Sequence, residues 1–395
     1  MRPRAKRSRS TQKDIAEALN VSRACVAIGL NPLTRHKLLP ETVAMIEAKA
    51  KELNYRPQRL ARMLRSGRSH TIGVVFVSGV YHAPQERVRH LARSAIRAGY
   101  QLVSVDMEWF DGNIAAAQSY LLDMAVEGII FCNLTSGGSE EWENFLEECS
   151  LPAVSMYSSV DTANQAQIDM SVAYYGMTQH HITQGSRSLH LLLPFHDLAP
   201  DEQLRASSVK ERVSGFVRAI HAEGGEVIAS PEVGRVFGLP VRFSFGEDRV
   251  RGHVHYPLRT EIYKNVFDVG YHETHRILQN EKADSLVCSN DDIAIGALSA
   301  CNEQGLQVPQ DIKVSGADDA PFARYGQIPL STISQPPQEM ARWSIERIVE
   351  LIEFPEERDI SKSKTFPCEL IFRKSTIPSL ATTESQKKSS FAEIN

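Results

Sequence analysis

The chain has 395 residues, which is long enough for two or three domains with sizeable buried cores. No apolar run approaches the roughly 18 to 20 residues that cross a bilayer, which argues against a membrane protein. The basic residues 1–10 have no apolar core behind them, so we expect no secretory signal. The six cysteines form no CxxC pair, which favours reduced thiols in a cytoplasmic protein.

Charge is distributed unevenly along the chain. Residues 1–70 carry 16 Lys and Arg against 5 Asp and Glu, whereas the remaining 325 residues carry 28 against 43. A basic head on an acidic body is typical of a polyanion-binding module fused to a soluble domain. A solvated basic tail would account for residues 1–10, but not for basic residues spread through an amphipathic segment.

The stretch from Thr11 to Leu30 predicts two short helices joined by a tight turn. Thr11 and Ser22 are expected to cap the two helices, because their hydroxyls can accept N–H bonds from the first turn. Asn20 tolerates the left-handed backbone that such a turn needs. The pair is typical of a helix-turn-helix, although any antiparallel helix pair shares the pattern. A third helix is expected to begin at Pro40.

Residues 57–66 predict a further short helix that begins at Pro57. Leu60 and Leu64 lie on one face of it, and arginines surround them. Apolar wedges framed by arginines are used by proteins that open a DNA minor groove, while ordinary packing is the alternative.

From His70 onward, eight β-rich runs alternate with helical stretches. The runs are TIGVVFV, QLVSV, GIIFC, AVSMY, SLHLLL, EVIA, SLVCS and IKVSGA. This alternation predicts parallel sheets with helices on both faces, arranged as two doubly wound subdomains. Residues 377–395 are polar, and we expect them to be unstructured.

Polar side chains follow the predicted strands, at the edge where a doubly wound sheet binds its ligands. Carboxylate, amide and hydroxyl groups there suit a small polyhydroxylated ligand, because each buried ligand hydroxyl needs a partner. Capping of the strand end is the alternative for each of these residues. They are Ser78, Asp106, Asn133, Tyr157, Asn290 and Asp318.

No pattern for a catalytic or metal site stands out. His180 and His181 are adjacent in a helix and point in different directions. His253 and His255 alternate along a possible strand, but no third ligand sits at metal-site spacing. There is no nucleotide-phosphate loop and no nucleophile elbow. We therefore expect no enzyme activity, no cofactor and no metal.

Residues 11–376 resemble the lactose/purine repressor family (LacI/GalR) of transcriptional regulators. In the first part of the chain the matching motifs are TQKDIA at 11–16, VS at 21–22, LN at 30–31, YRP at 55–57, LRSG at 64–67 and IGV at 72–74. In the second part they are VKERVSGF at 209–216, SNDDIAIG at 289–296, SGADD at 315–319, PLSTISQ at 329–335 and FRKST at 372–376.

The resemblance implies an all-α helix-turn-helix head plus an α/β body of two doubly wound parallel-sheet subdomains, like a periplasmic binding protein. The expected domains are a basic arm (1–10), the DNA-binding domain (11–56), a hinge helix and linker (57–69), the effector-binding and dimerisation domain (70–376) and the tail (377–395). The implied partners are operator DNA, a small polar effector and a second copy of the chain. A sugar is the leading effector class, and a nucleobase or nucleoside is the second.

The same resemblance, together with the strand-end residues, gives two sets of site residues. The predicted DNA contacts are Thr11, Ser22, Arg23, Ala24, Cys25, Asn31, Tyr55, Arg59 and Leu64. The predicted effector contacts are Ser78, Asp106, Tyr157, Arg212, Asn290, Asp318 and Gln335. Arg23 is the strongest candidate for reading bases, because a guanidinium can pair with guanine through two N–H groups.

The chain also departs from the family pattern. Ala27 and Ile28 replace a serine and an arginine of the family's recognition helix, which removes groups that normally reach phosphates or base edges. Leu39 stands where the family caps the third helix with serine. The aromatic lid residue of the family cannot be placed, and Tyr263 or Phe267 are guesses. A second interpretation is therefore a sugar-binding protein whose degenerate head no longer reads DNA specifically.

Overall fold

The computed structural model describes residues 10–30, 34–55, 67–78, 82–134, 138–158, 160–194, 207–242, 244, 249–257, 263 and 265–377. The chain divides into two compact units, Met1–Ser69 and His70–Asn395. The predicted hinge helix, the basic arm up to residue 9 and the tail after residue 377 lie outside the described residues.

Among its described residues, the first unit contains three α-helices, α1 (Gln12–Leu19), α2 (Arg23–Gly29) and α3 (Pro40–Glu52). Thr11 caps α1, Ser22 caps α2, and Asn20 has a left-handed φ of 53°, so the predicted helix-turn-helix is confirmed. Its core is small and apolar, and consists of Ile15, Ala16, Val26, Ile46 and Ala50.

Two features of the sequence set the geometry of this unit. Gly29 lies so close to α3 that an added Cβ would be 2.8 Å from Cδ1 of Ile46, which explains the small residue at the end of α2. Leu39 occupies the N-cap position of α3, is 72% exposed and makes no side-chain capping bond. The side-chain cap that serine provides in the family is therefore absent at the start of α3.

In the described part of the chain, the second unit contains two sheets. The first sheet has the strand order β12-β5-β4-β3-β1-β2 and is parallel throughout. Its strands are β1 (Thr71–Phe76), β2 (Gln101–Asp106), β3 (Gly128–Cys132), β4 (Ala153–Met156), β5 (Asn164–Ile168) and β12 (Lys362–Phe366).

The second sheet has the order β13-β11-β10-β9-β6-β8-β7 and is parallel except for β13, which runs antiparallel to β11. Its strands are β6 (Ser188–Leu192), β7 (Glu226–Ala229), β8 (Arg251–His255), β9 (Ser285–Cys288), β10 (Lys313–Ala317), β11 (Ser331–Ser334) and β13 (Glu369–Ile371). All eight predicted runs form strands, and two doubly wound subdomains are present.

Helices connect the strands of both sheets. They are α4 (His82–Arg97), α5 (Ile114–Asp123), α6 (Ser139–Cys149), α7 (Met170–Thr183), α8 (Ser207–Ala222), α9 (Pro231–Phe237), α10 (Val266–Asn280), α11 (Asp291–Glu303), α12 (Pro321–Tyr325) and α13 (Pro337–Glu353). None of the helices described here is long and apolar enough to cross a membrane.

The chain passes between the two sheets after β5, after β11 and after β12. Helix α13 follows β11 but packs against α4 and the first sheet, so residues 335–336 form one of these connections. Because parallel strands place their carboxyl ends at one edge, the residues that follow β3, β4, β10 and β11 converge at the crevice between the subdomains.

Candidate functional site

The exposed start of α2 is the candidate DNA-contacting surface. Ser22, Arg23 and Ala24 are exposed there, whereas Cys25 is half-buried and packs against the core of the first unit. The Ser22 hydroxyl accepts the backbone N–H of Cys25 at 3.1 Å, which fixes the start of the helix. Arg23 is therefore accessible to solvent, while its role as a DNA contact stays a prediction.

The remaining predicted DNA contacts differ in how exposed they are, and some lie outside the described residues. Thr11 is exposed and forms a capping box, in which its backbone N–H donates to Asp14 Oδ2 at 2.6 Å. Tyr55 is half-buried against the core, and Ala27 and Ile28 are half-buried on α2. Asn31, Arg59 and Leu64 lie outside the described residues.

A cluster of polar side chains joins the two subdomains across the crevice. Arg87 on α4 donates from Nη1 to Asn133 Oδ1 at 2.7 Å and from Nη2 to Gln335 Oε1 at 2.8 Å. Its guanidinium carbon lies 4.1 Å from the ring centre of Tyr157, and Tyr157 also donates its hydroxyl to Gln335 Oε1. Gln335 Nε2 donates to Asp318 Oδ1 at 2.7 Å. We call these five residues the crevice cluster.

The chemistry of its neighbours fixes the orientation of the Gln335 amide. Arg87 can only donate hydrogen bonds, and the carboxylate of Asp318 can only accept them. The amide oxygen must therefore face Arg87, and the amide nitrogen must face Asp318. Both ends of the amide are used, and the side chain is 7% exposed. Gln335, which lies in a connection between the sheets, is thus tied to both subdomains.

Three members of the crevice cluster have unusual backbone conformations. Asn133 and Tyr157 each have a φ of 59°, and Asp318 has a φ of 107°. Side-chain-bearing residues rarely adopt such values, and each one costs of order 1–3 kcal/mol. Backbone strain of this kind often occurs at functional sites, so it supports the crevice cluster as a candidate ligand site.

Arg212 lies on α8, near the crevice cluster. Its guanidinium carbon is 5.7 Å from the ring centre of Tyr174, which is fully buried and donates its hydroxyl to the Ser289 carbonyl at 3.0 Å. Burial alone would lower the pKa of Arg212, but charge interactions with Tyr174, Tyr157 and Asp318 raise it overall. Arg212 is therefore a permanent positive charge at this end of the crevice.

Three predicted effector contacts have local structural partners. Asp106 is 2% exposed, and its Oδ1 accepts the N–H groups of Ser78 and Glu108, each at 3.2 Å. Asn290 Oδ1 accepts the N–H of Ile293 at 2.8 Å and so caps α11. The structure thus joins Ser78 to Asp106 and makes Asn290 a helix cap, while their roles as effector contacts stay predictions.

Sequence reasoning missed two residues that shape this site. Arg87 was not distinguished from the other arginines of α4. Asp291 is 1% exposed, and its carboxylate accepts the Ala320 N–H at 2.8 Å and the Thr332 hydroxyl at 2.6 Å. Those bonds hold the loop that carries Asp318, and the pair of aspartates at 291–292 was the only signal for them.

A cavity of about 270 Å³ lies beside the crevice cluster, between α4 and the loop 318–321. Arg87, Asp318, Gln335 and Glu86 are among the residues that line it. Of the two guesses for an aromatic lid, Tyr263 is wrong, because it is buried and donates its hydroxyl to Glu273 Oε1 at 2.6 Å. Phe267 is partly exposed on α10.

Sequence comparison finds relatives over nearly the whole chain. Residues 241–376 match the model of the periplasmic binding protein-like domain family. The ribose operon repressor of Escherichia coli (strain K12) is 27% identical over 350 residues, which cover 88% of this chain and 94% of the relative. The transcriptional repressor PurR of Glaesserella parasuis is 27% identical over 379 residues, covering 93% and 98% of the two chains.

Structure comparison finds the same fold in a solved regulator. The Lac repressor dimer bound to operator and the anti-inducer ONPF matches with a TM-score of 0.68 and 22% identity, over 94% of this chain and all of that one. This likeness covers the helical head and the two-subdomain body. The sequence-based expectation for the fold class is confirmed.

Proposed function

We propose that this chain, which belongs to the lactose/purine repressor family (LacI/GalR), is a DNA-binding transcriptional repressor controlled by a small polar effector. It acts in the cytoplasm as a homodimer and catalyses no reaction. The observation that carries the proposal is the crevice cluster, because it ties two subdomains together at the place where a ligand would enter. The curated relatives, which are named as repressors, support the DNA-binding role.

The head reads DNA through the exposed start of α2. Arg23 pairs with a guanine, and Ala24 offers apolar contact to a thymine methyl. Two heads in a dimer read two half-sites of a pseudo-palindromic operator. As the family resemblance implies, Leu64 of each protomer acts as a wedge that opens the minor groove between the half-sites.

The effector binds in the crevice and changes how the subdomains close. Arg212, Asp318 and Gln335 supply donors and acceptors for ligand hydroxyls, and the Asn290 amide nitrogen supplies a further donor. A ligand that uses these groups differently in the open and closed arrangements shifts the equilibrium between them. A sugar is the expected class, which a relative named for a ribose operon also supports.

A second candidate function is a sugar-binding protein that has lost specific DNA recognition. Ala27 and Ile28 favour it, because neither side chain can bond to a phosphate or a base edge. The two candidates share the crevice and differ only in what the head does.

Selection of bound sequences from a random DNA pool tests the proposal. The full-length protein is used at near-physiological salt, so that purely electrostatic binding is weak. Recovery of a palindrome with a central pyrimidine–purine step is the expected result. If the recovered pool shows no common motif, and binding disappears as salt rises, the head does not read sequence and the second candidate function is favoured.

A further inference from the structure

Four potential metal ligands meet away from the crevice, at the junction of β6, β8 and the end of α10. They are His190, His253, His255 and Glu281, and one ligand atom from each lies within 4.8 Å of the other three. His190 pairs with His253 in the parallel register of β6 and β8. His255 lies two residues after His253 on β8, so the two side chains share a face of the sheet. We call this group the histidine cluster.

The histidine cluster combines a buried interior with a partly open side. The side chain of His190 is fully buried, whereas the side chains of His253 and Glu281 are 15% and 26% exposed. His253 Nδ1 lies 2.7 Å from Glu281 Oε2, and His190 Nδ1 lies 3.9 Å from the same oxygen. An ion can therefore approach from the His253 side and reach the buried imidazole.

Neighbouring groups determine the proton positions in the histidine cluster. Arg276 Nη2 donates to His255 Nδ1 at 3.0 Å, so the proton of neutral His255 is on Nε2. That nitrogen lies 2.8 Å from His190 Nδ1, which must therefore present a lone pair. His190 Nε2 lies 3.4 Å from the Lys282 carbonyl oxygen. In many metal sites a backbone carbonyl accepts this second N–H and so fixes the tautomer of the ligating histidine.

The charge states also suit a metal ion. Burial lowers the pKa of His190 to about 3, and it lowers the pKa of His255 well below its usual value. Both rings are uncharged at neutral pH, which is the form that binds metals. The hydrogen bond from His253 lowers the pKa of Glu281, which is thus a carboxylate. Three imidazoles and one carboxylate leave a bound divalent cation with a net charge of only +1.

We propose that His190, His253, His255 and Glu281 form a binding site for one Zn²⁺ ion. Imidazole nitrogens and a carboxylate are ligands that zinc takes in four-coordinate sites. A single carboxylate offers too few oxygen ligands for Ca²⁺ or Mg²⁺. The ion ties β6, β8 and the end of α10 together and so stabilises the second subdomain.

Zinc binding requires two changes of tautomer and a turn of the rings. His253, which donates from Nδ1 to Glu281, moves that proton to Nε2 so that Nδ1 can bind the ion. The proton of His255 moves from Nε2 to Nδ1, and Arg276 turns away from Nδ1 while keeping its ion pair with Glu273. The imidazoles of His190, His253 and His255 are stacked, so they rotate until their lone pairs converge on the ion. The protein gains and loses no proton in these steps. Replacing Arg276 with glutamine offers an amide oxygen that accepts the new Nδ1–H, so the R276Q variant is expected to bind zinc at least as tightly as the wild type.

Calorimetric titration of the EDTA-stripped, full-length protein with ZnCl₂ tests the proposal. We expect one site per chain that Mg²⁺ does not fill, and a rise in thermal midpoint when zinc is bound. His253 and Glu281 are partly exposed, so the fold should persist when they are replaced. His253→Asn and Glu281→Gln are each expected to weaken zinc binding at least about tenfold. His275→Asn is the matched control, because His275 pairs with a carboxylate, Glu303, outside the histidine cluster.

Cobalt provides a second readout that does not depend on stability. Co²⁺ bound by the histidine cluster should give the intense visible absorption of a four-coordinate site, and His253→Asn should remove it while His275→Asn keeps it. Absence of zinc binding by the wild type would overturn the proposal. Equal affinity in the wild type, His253→Asn and Glu281→Gln would place the zinc elsewhere and would also overturn it.

Discussion

Arg87 and Gln335, which are 248 positions apart in the chain, are joined by a hydrogen bond of 2.8 Å across the crevice. Arg87 belongs to α4, and Gln335 follows β11 of the other subdomain. A ligand that enters the crevice must either replace this bond or add to it. Ligand occupancy and the relative position of the subdomains are therefore linked through one pair of side chains.

The first prediction concerns the stabilising effect of Arg87. Arg87→Met keeps the apolar stem but removes the donors to Asn133 and Gln335. We expect the free energy of unfolding of the body to fall by about 2 to 3 kcal/mol, because buried hydrogen bonds to charged groups contribute roughly 1.5–3 kcal/mol. Denaturant unfolding of the full chain measures this change.

Arg89→Met is the control for that experiment. Arg89 lies on the same helix, its side chain is 47% exposed, and it pairs with Glu86 on α4 itself. Its removal should change stability by less than about 0.5 kcal/mol. Equal losses for Arg87→Met and Arg89→Met would show that the bond across the crevice contributes nothing.

The second prediction concerns base reading by Arg23. Arg23→Ala should cost about 1–3 kcal/mol of discrimination at one operator position, because one bidentate contact is lost. Binding to unrelated DNA should change little. Binding measured on the recovered operator and on its single-base variants tests this, with Lys13→Ala, an exposed basic residue on α1, as the control. Uniform weakening on every sequence would make Arg23 a phosphate contact instead.

The third prediction concerns the missing cap of α3. Leu39 is exposed and has an extended backbone (φ −64°, ψ 141°), which a capping serine can adopt. Leu39→Ser should stabilise the head by about 1 kcal/mol, because the hydroxyl can accept a first-turn N–H. Slower hydrogen exchange at residues 41–43 measures the effect. Leu39→Ala lacks the oxygen, and the same protection in both variants would refute the capping argument.

The fourth prediction concerns stability in acid. Burial, together with the charges of His180 and Lys313, holds the pKa of His181 well below its usual value of 6.5. As pH falls below 6.5, His181 takes up a proton in the unfolded chain but not in the folded protein. Stability is therefore present above pH 6.5 and is lost as pH falls, by about 1.4 kcal/mol per pH unit for this group.

Denaturant unfolding between about pH 7 and pH 5, with EDTA present, measures that loss. His181→Asn keeps a polar side chain near Ser285 and Ser315 but cannot take up a proton in this range. The variant should lose less stability per pH unit than the wild type. Identical pH profiles would mean that His181 does not contribute.

Hydrophobic patterning accounts for what could be predicted of the fold. The eight runs that became strands are largely apolar, and most of their residues are buried, so sequence alone marks them. The strands that were missed include β5, NQAQI, and β12, KSKTF, which are polar because they lie side by side at the edge of the first sheet. Their positions depend on pairing between segments almost 200 residues apart, which local patterns do not encode.

The candidate sites show the same limit. Nothing in the sequence of α4 separates Arg87 from Arg89, because the burial of Arg87 comes from Gln335 and Tyr157, which lie far along the chain. The histidine cluster is similar. His253 and His255 were visible as a pair, but His190 and Glu281 reach them only through the pairing of β6 with β8 and the end of α10.

The central claim is that occupancy of the crevice and operator affinity are thermodynamically linked. The most direct test is a titration of the recovered operator with the full-length protein, with and without a sugar that calorimetry shows to bind. We predict a change in operator affinity of roughly 5-fold to 150-fold, and a reciprocal change in sugar affinity when operator is present. A sugar that binds the crevice but leaves operator affinity unchanged would contradict the account.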